Sequence, residues 1–312
     1  MDTKRLSYFV KIIDKGSLTR AADALNIAQP ALSQHLISLE AHFKQQLVVR
    51  SRHGVTMTEA GKALYRHAQI VLKQMDLMSS DVSEAAKVLS GSVSVGLAPY
   101  STTSTLSLSL LKEIKRQYPE IMLHVNDNFG SVFSELVMNG RMDLALIYDP
   151  GMMRGVNFQQ VAVEELFLIS RRSAALPSDV KEAVPLTSLE NVPLLLPSRI
   201  HLLRSLVDTA FETSHVVPKI VAEIDSMETL GAAISEGIGS TILPWSAASR
   251  MTDFKQLILR PIKDPAIEAT ISVCVSDNIP LSEPAMAVHD VLFRLVRELI
   301  ASNQWPGVRP PQ

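Results

Sequence analysis

The stretch Ala21-Ala22-Asp23-Ala24-Leu25-Asn26-Ile27-Ala28-Gln29-Pro30-Ala31-Leu32-Ser33-Gln34-His35-Leu36 decides how the chain is read. Leu18, Ala21, Ala22 and Leu25 share one helical face, and Ser17 stands where it can cap that helix. Asn26 tolerates left-handed backbone and breaks the helix into a tight turn. A second helix opens near Pro30, whose fixed φ suits a first turn, and its spacing predicts burial of Leu32, Leu36, Leu39 and Phe43. A short helix, a tight turn and a longer helix have the proportions of a helix-turn-helix. In that geometry the start of the second helix meets base edges, and here it offers Gln29, Pro30, Ser33 and Gln34. Gln can bond an adenine edge through two atoms, and Ser can serve several bases. A polar solvated face on a small helical bundle fits the same pattern, so this stretch alone leaves both readings open.

The flanks narrow the choice. Upstream, Leu6, Phe9, Val10 and Ile13 fall on one helical face that Gly16 ends. Downstream, Leu47-Val48-Val49-Arg50 and Val55-Thr56-Met57-Thr58 flank Ser51-Arg52-His53-Gly54, a hairpin with glycine in its turn. Such a hairpin makes a wing. Its Arg50, Arg52 and His53 would lie against phosphates or a minor groove, with Arg5 as a further cation. A long helix follows, capped by Thr58 with Glu59 in its first turn. Leu64, Ala68, Val71, Met75, Met78, Val82, Ala85 and Leu89 alternate in steps of 4 and 3, the seam of a coiled coil. So narrow and regular a seam favours a partner helix over the chain's own domain. A two-fold dimer with two reading heads fits a pseudo-palindromic site.

Composition sets bounds on this reading. The 312 residues are 46% hydrophobic and 20% charged, which suits a soluble globular chain of about two domains. The single Cys274 excludes a disulfide framework and a cysteine-based zinc site. No run of about 18 apolar residues could span a membrane, and the apolar start at Leu6 is too short for a signal peptide. The chain is therefore expected in the cytoplasm, without a membrane partner. Thirty Lys+Arg against 32 Asp+Glu give a net charge of -2, which by itself speaks against nucleic acid. Split at residue 89, that charge becomes +4 for the N-terminal part and -6 for the rest. A basic module joined to an acidic body fits the division.

The stretch quoted above, together with Leu39-Glu40, Arg50 and Thr58-Glu59-Ala60-Gly61, resembles the signature of LysR-type transcriptional regulators. Val48 departs from it, because the family usually has phenylalanine there. Leu6-Ser7-Tyr8-Phe9-Val10-Lys11-Ile12-Ile13-Asp14 with Gly16-Ser17-Leu18-Thr19 most resembles the nitrogen assimilation control group of that family. The resemblance implies a winged helix-turn-helix, a dimerising linker helix and a two-lobed α/β effector domain like periplasmic binding proteins. It implies promoter double-stranded DNA, a small effector and RNA polymerase as partners, and a homotetramer as the assembly. Some members of the group act without a small inducer.

The remaining sequence supports two α/β halves, which makes the chain α/β overall. Strands around Val93–Leu97, Ile121–Val125 and Asp143–Ile147 alternate with helices at 104–118 and 131–138, a βαβαβ order that predicts a parallel sheet. A second set has strands at Phe167–Ser170, Val192–Leu196 and Lys219–Ile224 and helices at Leu202–Thr213 and Met227–Ser235. Ala269–Val275 returns to the first half. The expected division is 1–58 for DNA binding, 59–89 for the linker helix and 90–302 for the effector domain. Within that domain lobe I is 90–161 plus 266–302 and lobe II is 162–265, and 303–312 is a loose tail. Ligands of such sheets rest beyond strand carboxyl ends, against helix N-termini. Tyr100, Ser101, Thr102, Phe129, Ser131, Tyr148, Ser198 and Ser226 occupy those places and suit an anionic effector. Taken singly, each Ser or Thr is better explained as a helix cap.

Enzyme readings fail on their spacing. Ser109-x-x-Lys112 and Ser276-Asp277-Asn278 match two motifs of β-lactamase-type enzymes, but the third is missing. Gly237-x-Gly239 lacks the third glycine and the lysine of a phosphate loop. The eight histidines show no metal spacing, so neither a cofactor nor a metal is expected. The reading is a non-enzymatic activator or repressor of transcription. Its alternative is a two-lobed solute-binding protein without DNA-binding activity.

Overall fold

A computed structural model describes the chain apart from residues 1, 52–53, 84–88, 98–99, 101–102, 128–129, 175–182, 252–253 and 312; residues 79–83, 103–105 and 130–131 are described as backbone only. The chain divides into two compact units. One is Met1–Val88 with Met138–Arg141 and Asn278–Pro280, and the other holds the remaining residues.

The first unit runs α1 (Thr3–Lys15), α2 (Leu18–Leu25), α3 (Gln29–Phe43), β1 (Val48–Ser51), β2 (Gly54–Met57) and α4 (Glu59–Ser83). Asp2 and Ser17 cap α1 and α2 through their side chains, and left-handed Gly16 and Asn26 stop them. Leu6, Phe9, Ile12, Leu32, Leu36 and Leu39 form the core. Phe43, expected inside, is 39% exposed: α3 stops at left-handed Lys44, which leaves the ring beside an apolar groove with Leu47 and Leu64. The hairpin pairs antiparallel from Val48↔Met57 to Ser51↔Gly54. Glu40 accepts from the amides of Leu47 and Val48 at 2.8 and 3.3 Å, which fixes the path from α3 into the wing. Thr58 caps α4 by accepting from the Gly61 amide at 3.0 Å, while its own hydroxyl donates to the Gln46 carbonyl at 2.7 Å. A side chain at Gly61 would meet the Leu47 carbonyl at 2.0 Å, so only glycine lets α4 lie this close to the wing.

The second unit opens with β3 (Gly91–Leu97), α5 (Thr103–Gln117), β4 (Ile121–Asp127), α6 (Gly130–Met138) and β5 (Leu144–Tyr148). As the βαβαβ order requires, β3 pairs parallel with both β4 and β5. The long β6 (Val156–Arg171) then crosses the unit. After it come β7 (Val184–Pro185), β8 (Leu194–Leu196), α7 (Leu202–Thr213), β9 (Ile220–Glu223), α8 (Met227–Ser235), β10 (Thr241–Pro244), α9 (Trp245–Ala248) and β11 (Leu257–Lys263). The chain ends with β12 (Glu268–Ser276), α10 (Glu283–Ala301) and β13 (Val308–Arg309). Up to Glu165, β6 pairs antiparallel with β12, which joins it to β5. From Leu166 onward its antiparallel partners are β10 and β11. One strand thus belongs to two lobes.

Two further expectations need correction. The expected loose tail, 303–312, is none in its described residues: Trp305 is 3% exposed, and β13 pairs with β6 at Val163 and Glu164. The indole and the strand edge both find partners far away in sequence, which local composition cannot show. Leu89, read as the last seam residue of the long helix, packs instead on the core of the second unit. Among the described residues, no helix is long and apolar enough to cross a membrane.

Candidate nucleic-acid interface and effector cleft

In the first unit, Gln29, Pro30, Ser33 and Gln34 all fall in the first two turns of α3, with Pro30 and Gln34 exposed and Gln29 and Ser33 half-buried. Arg50 on the wing donates from Nη1 to Ser33 Oγ at 3.1 Å. With one lone pair engaged, the Ser33 hydroxyl keeps its proton for an outside acceptor. Arg5 donates to Ser38 Oγ at 3.0 Å from α1. The wing is anchored by Val55, whose amide donates to the Gly16 carbonyl at 3.0 Å. Gly54 makes that approach possible, because a side chain there would lie 2.4 Å from the same oxygen. Arg52 and His53 lie outside the described residues. The Thr58 bond to Gln46 escaped the sequence reading. Glu40 stands in the family signature, but its bonds to the wing were not foreseen.

In the second unit, Tyr100 follows the carboxyl end of β3 and is 4% exposed, with a left-handed φ of 56°. Its hydroxyl donates to the Asp225 carbonyl, between β9 and α8 in the other lobe. Its ring meets the His201 ring edge-on at 4.7 Å between centroids. Burial, reinforced by Asp225, pushes the Tyr100 hydroxyl well above the ordinary tyrosine range. Ser198 gives both its amide (2.8 Å) and its hydroxyl (2.9 Å) to the Asp225 carboxylate, and His201 Nε2 is 3.3 Å from the same group. Partial burial opposes the Asp225 charge, but the bonds from Ser198 and His201 prevail and hold its carboxyl below the usual range. Burial likewise lowers the basicity of His201 despite the neighbouring Asp225.

Tyr148, at the end of β5, places its hydroxyl 2.7 Å from Glu164 Oε2 and 3.2 Å from the Tyr100 carbonyl. Glu164 lies on β6 and is fully buried. Ser246 donates to its Oε1 at 2.8 Å and the Trp305 indole at 3.4 Å. Burial raises this carboxyl to about 7, even though the three bonds work to lower it. Beside Tyr148 a cavity of about 900 Å³ is lined by Asp149, Met153, Arg154, Leu202 and Thr270, among others.

Tyr100, Tyr148 and Ser198 therefore join one connected group. Ser226 does not: its hydroxyl accepts from the Thr229 amide at 3.3 Å and caps α8. Ser101, Thr102 and Phe129 lie outside the described residues, and Ser131 is described as backbone only. Sequence reading placed the segment Asp225-Ser226 at the cleft without nominating the Asp225 carboxylate, and it missed Glu164, His201 and Trp305.

Residues 3–62 match the model of the bacterial regulatory helix-turn-helix protein, lysR family, and residues 86–297 match that of the LysR substrate binding domain. The chain is 36% identical over 306 residues to the nitrogen assimilation regulatory protein nac of Escherichia coli, spanning 98% of this chain and 99% of the relative. The protein of the same name from Klebsiella aerogenes is 37% identical, over 97% and 98% of the two chains. Among solved structures, a full-length OxyR variant from Pseudomonas aeruginosa is similar, with a TM-score of 0.75, 23% identity and 95% of each chain covered. CbnR, a LysR family transcriptional regulator, is similar with a TM-score of 0.63 and 21% identity, covering 95% of this chain and 99% of its own. These likenesses give the fold. The helix-turn-helix match leaves the solute-binding alternative without support.

Proposed function

Because the chain belongs to the LysR family of DNA-binding transcriptional regulators, we propose that it reads promoter DNA with residues 1–58, pairs through α4, and is adjusted at the cleft of residues 90–302. Gln29, Ser33 and Gln34 face base edges, Pro30 lets α3 approach end-on, and Arg50, Arg52 and His53 hold phosphates. The observation that carries this reading is the Arg50–Ser33 bond, which brings wing and third helix onto one exposed face. The chain acts by binding, not catalysis, in the cytoplasm where promoters and RNA polymerase are found.

The described part of the seam supports pairing. Val71 and Met78 are 40% and 58% exposed on α4, although their spacing is that of a buried coiled-coil face. Leu108, Leu111 and Met122 are a further set of exposed apolar side chains, on the second unit, and suit a second contact between copies that builds a tetramer. A small anionic effector has room in the cavity beside Tyr148, where it would have to engage Arg154 and keep clear of Asp149 and Glu268 in the same lining. A gel shift with the chain's own upstream region tests the DNA-binding part: wild type should retard it, and a chain that retards no DNA would overturn the reading.

A further inference from the structure

We infer that the Ser198 end of the cleft is occupied by the chain's own side chains, leaving the cavity beside Tyr148 open: the Tyr100 phenol and the Asp225 carboxylate stand there where a small ligand would, and they hold the two lobes together. The inference rests on the reading of this unit as the regulatory one. In an open α/β sheet the position beyond the carboxyl end of a strand is where ligands gather, and Tyr100 fills it after β3. Its hydroxyl ends on a main-chain carbonyl of the opposite lobe. Its ring rests against His201, which is itself 8% exposed. The donors that would receive an acid are used as well, since the Ser198 amide and hydroxyl both go to Asp225.

Ordinary core packing does not account for this arrangement. A bulky residue held at φ 56° is disfavoured, and such strain persists only where surrounding contacts impose it. Here those contacts come from both lobes: Asp225 and His201 on one side, the Tyr148 hydroxyl on the Tyr100 carbonyl on the other. A phenol-shaped niche with one acceptor at its end is thus built across the cleft and already filled. Acids find no free donors at Ser198, and this closed arrangement needs no small molecule to maintain it.

The test is Tyr100→Gly in the full chain, with phenol as the probe. Glycine adopts positive φ freely, so the substitution empties the niche without forcing the backbone. Expected results are a Tm lower than wild type by several degrees and a saturable recovery in millimolar phenol. Cyclohexanol, which keeps the hydroxyl without the flat ring, should recover less. Wild type should not respond to phenol. A Tyr100→Gly chain that matches wild type in Tm and ignores phenol would overturn the inference, as would wild type stabilised to the same extent. Should the glycine variant not fold, Tyr100→Phe retains the ring and loses only the bond to Asp225. Its amide hydrogen exchange in residues 224–230 should then quicken, and unchanged exchange there would overturn the inference. A gel shift on the same proteins keeps the two readings apart: loss of DNA binding by wild type would sink the regulatory reading, while phenol recovery still reports on the niche.

Discussion

Arg50 and Ser33 lie seventeen residues apart, on the wing and on the third helix, and meet through one hydrogen bond of 3.1 Å. The bond presets the hydroxyl of a residue proposed to read bases, through a cation proposed to hold phosphate. Ser33→Ala and Arg50→Ala should each weaken operator binding by about 1 kcal/mol or more. Because the two act together, the double variant should lose less than the two losses combined. Fluorescence anisotropy on a labelled operator measures the cycle, and strict additivity would show that the bond does nothing on DNA.

The apolar seam of α4 gives a second expectation. Met78→Glu places a charge on an exposed apolar position that pairing would bury. Sedimentation should show a shift toward monomer, and affinity for a full two-half-site operator should fall toward that for one half-site. An unchanged dimer would put the pairing surface elsewhere.

Glu164 makes stability depend on pH in a definite direction. Its carboxyl is raised to about 7 when folded, against an ordinary value of 4.5. The folded chain therefore holds this proton more tightly, so the contribution to stability is complete below pH 4.5 and is lost as pH rises through 7. At about 1.4 kcal/mol per unit the span is on the order of 3 kcal/mol. Denaturant unfolding at pH 5 and pH 8 should show wild type losing stability between the two, with Glu164→Gln losing much less. Parallel profiles would mean that another group carries the dependence.

Much of the fold was legible because it is written in local patterns. Ser17, Asn26 and Pro30 mark helix ends by their own local chemistry, a capping hydroxyl in the first and backbone preference in the others, and the alternation of Val93, Val95 and Leu97 marks a strand whichever partner it finds. What escaped depends on distant pairing. Trp305 looked like part of a polar, proline-flanked end, yet its indole meets Glu164 from 141 residues away. Phe43 had the right spacing for burial, but the left-handed stop at Lys44 decided otherwise. At the cleft, position alone nominated Tyr100, Tyr148 and Ser198. It could not reveal that Asp225 already takes the donors of Ser198, since that bond joins the segments that follow β8 and β9, brought together by the pairing of those two strands.

Base discrimination by Gln34 tests the central claim most directly. Wild type and Gln34→Ala should be titrated, at one fixed salt concentration, against an operator and a set carrying single base changes in each half-site. Wild type is expected to reject changes at one position by ~1–3 kcal/mol, and the variant to lose that rejection there while keeping the others. If Gln34→Ala weakens every sequence equally, or leaves every preference in place, the third helix does not read DNA in the way its geometry implies.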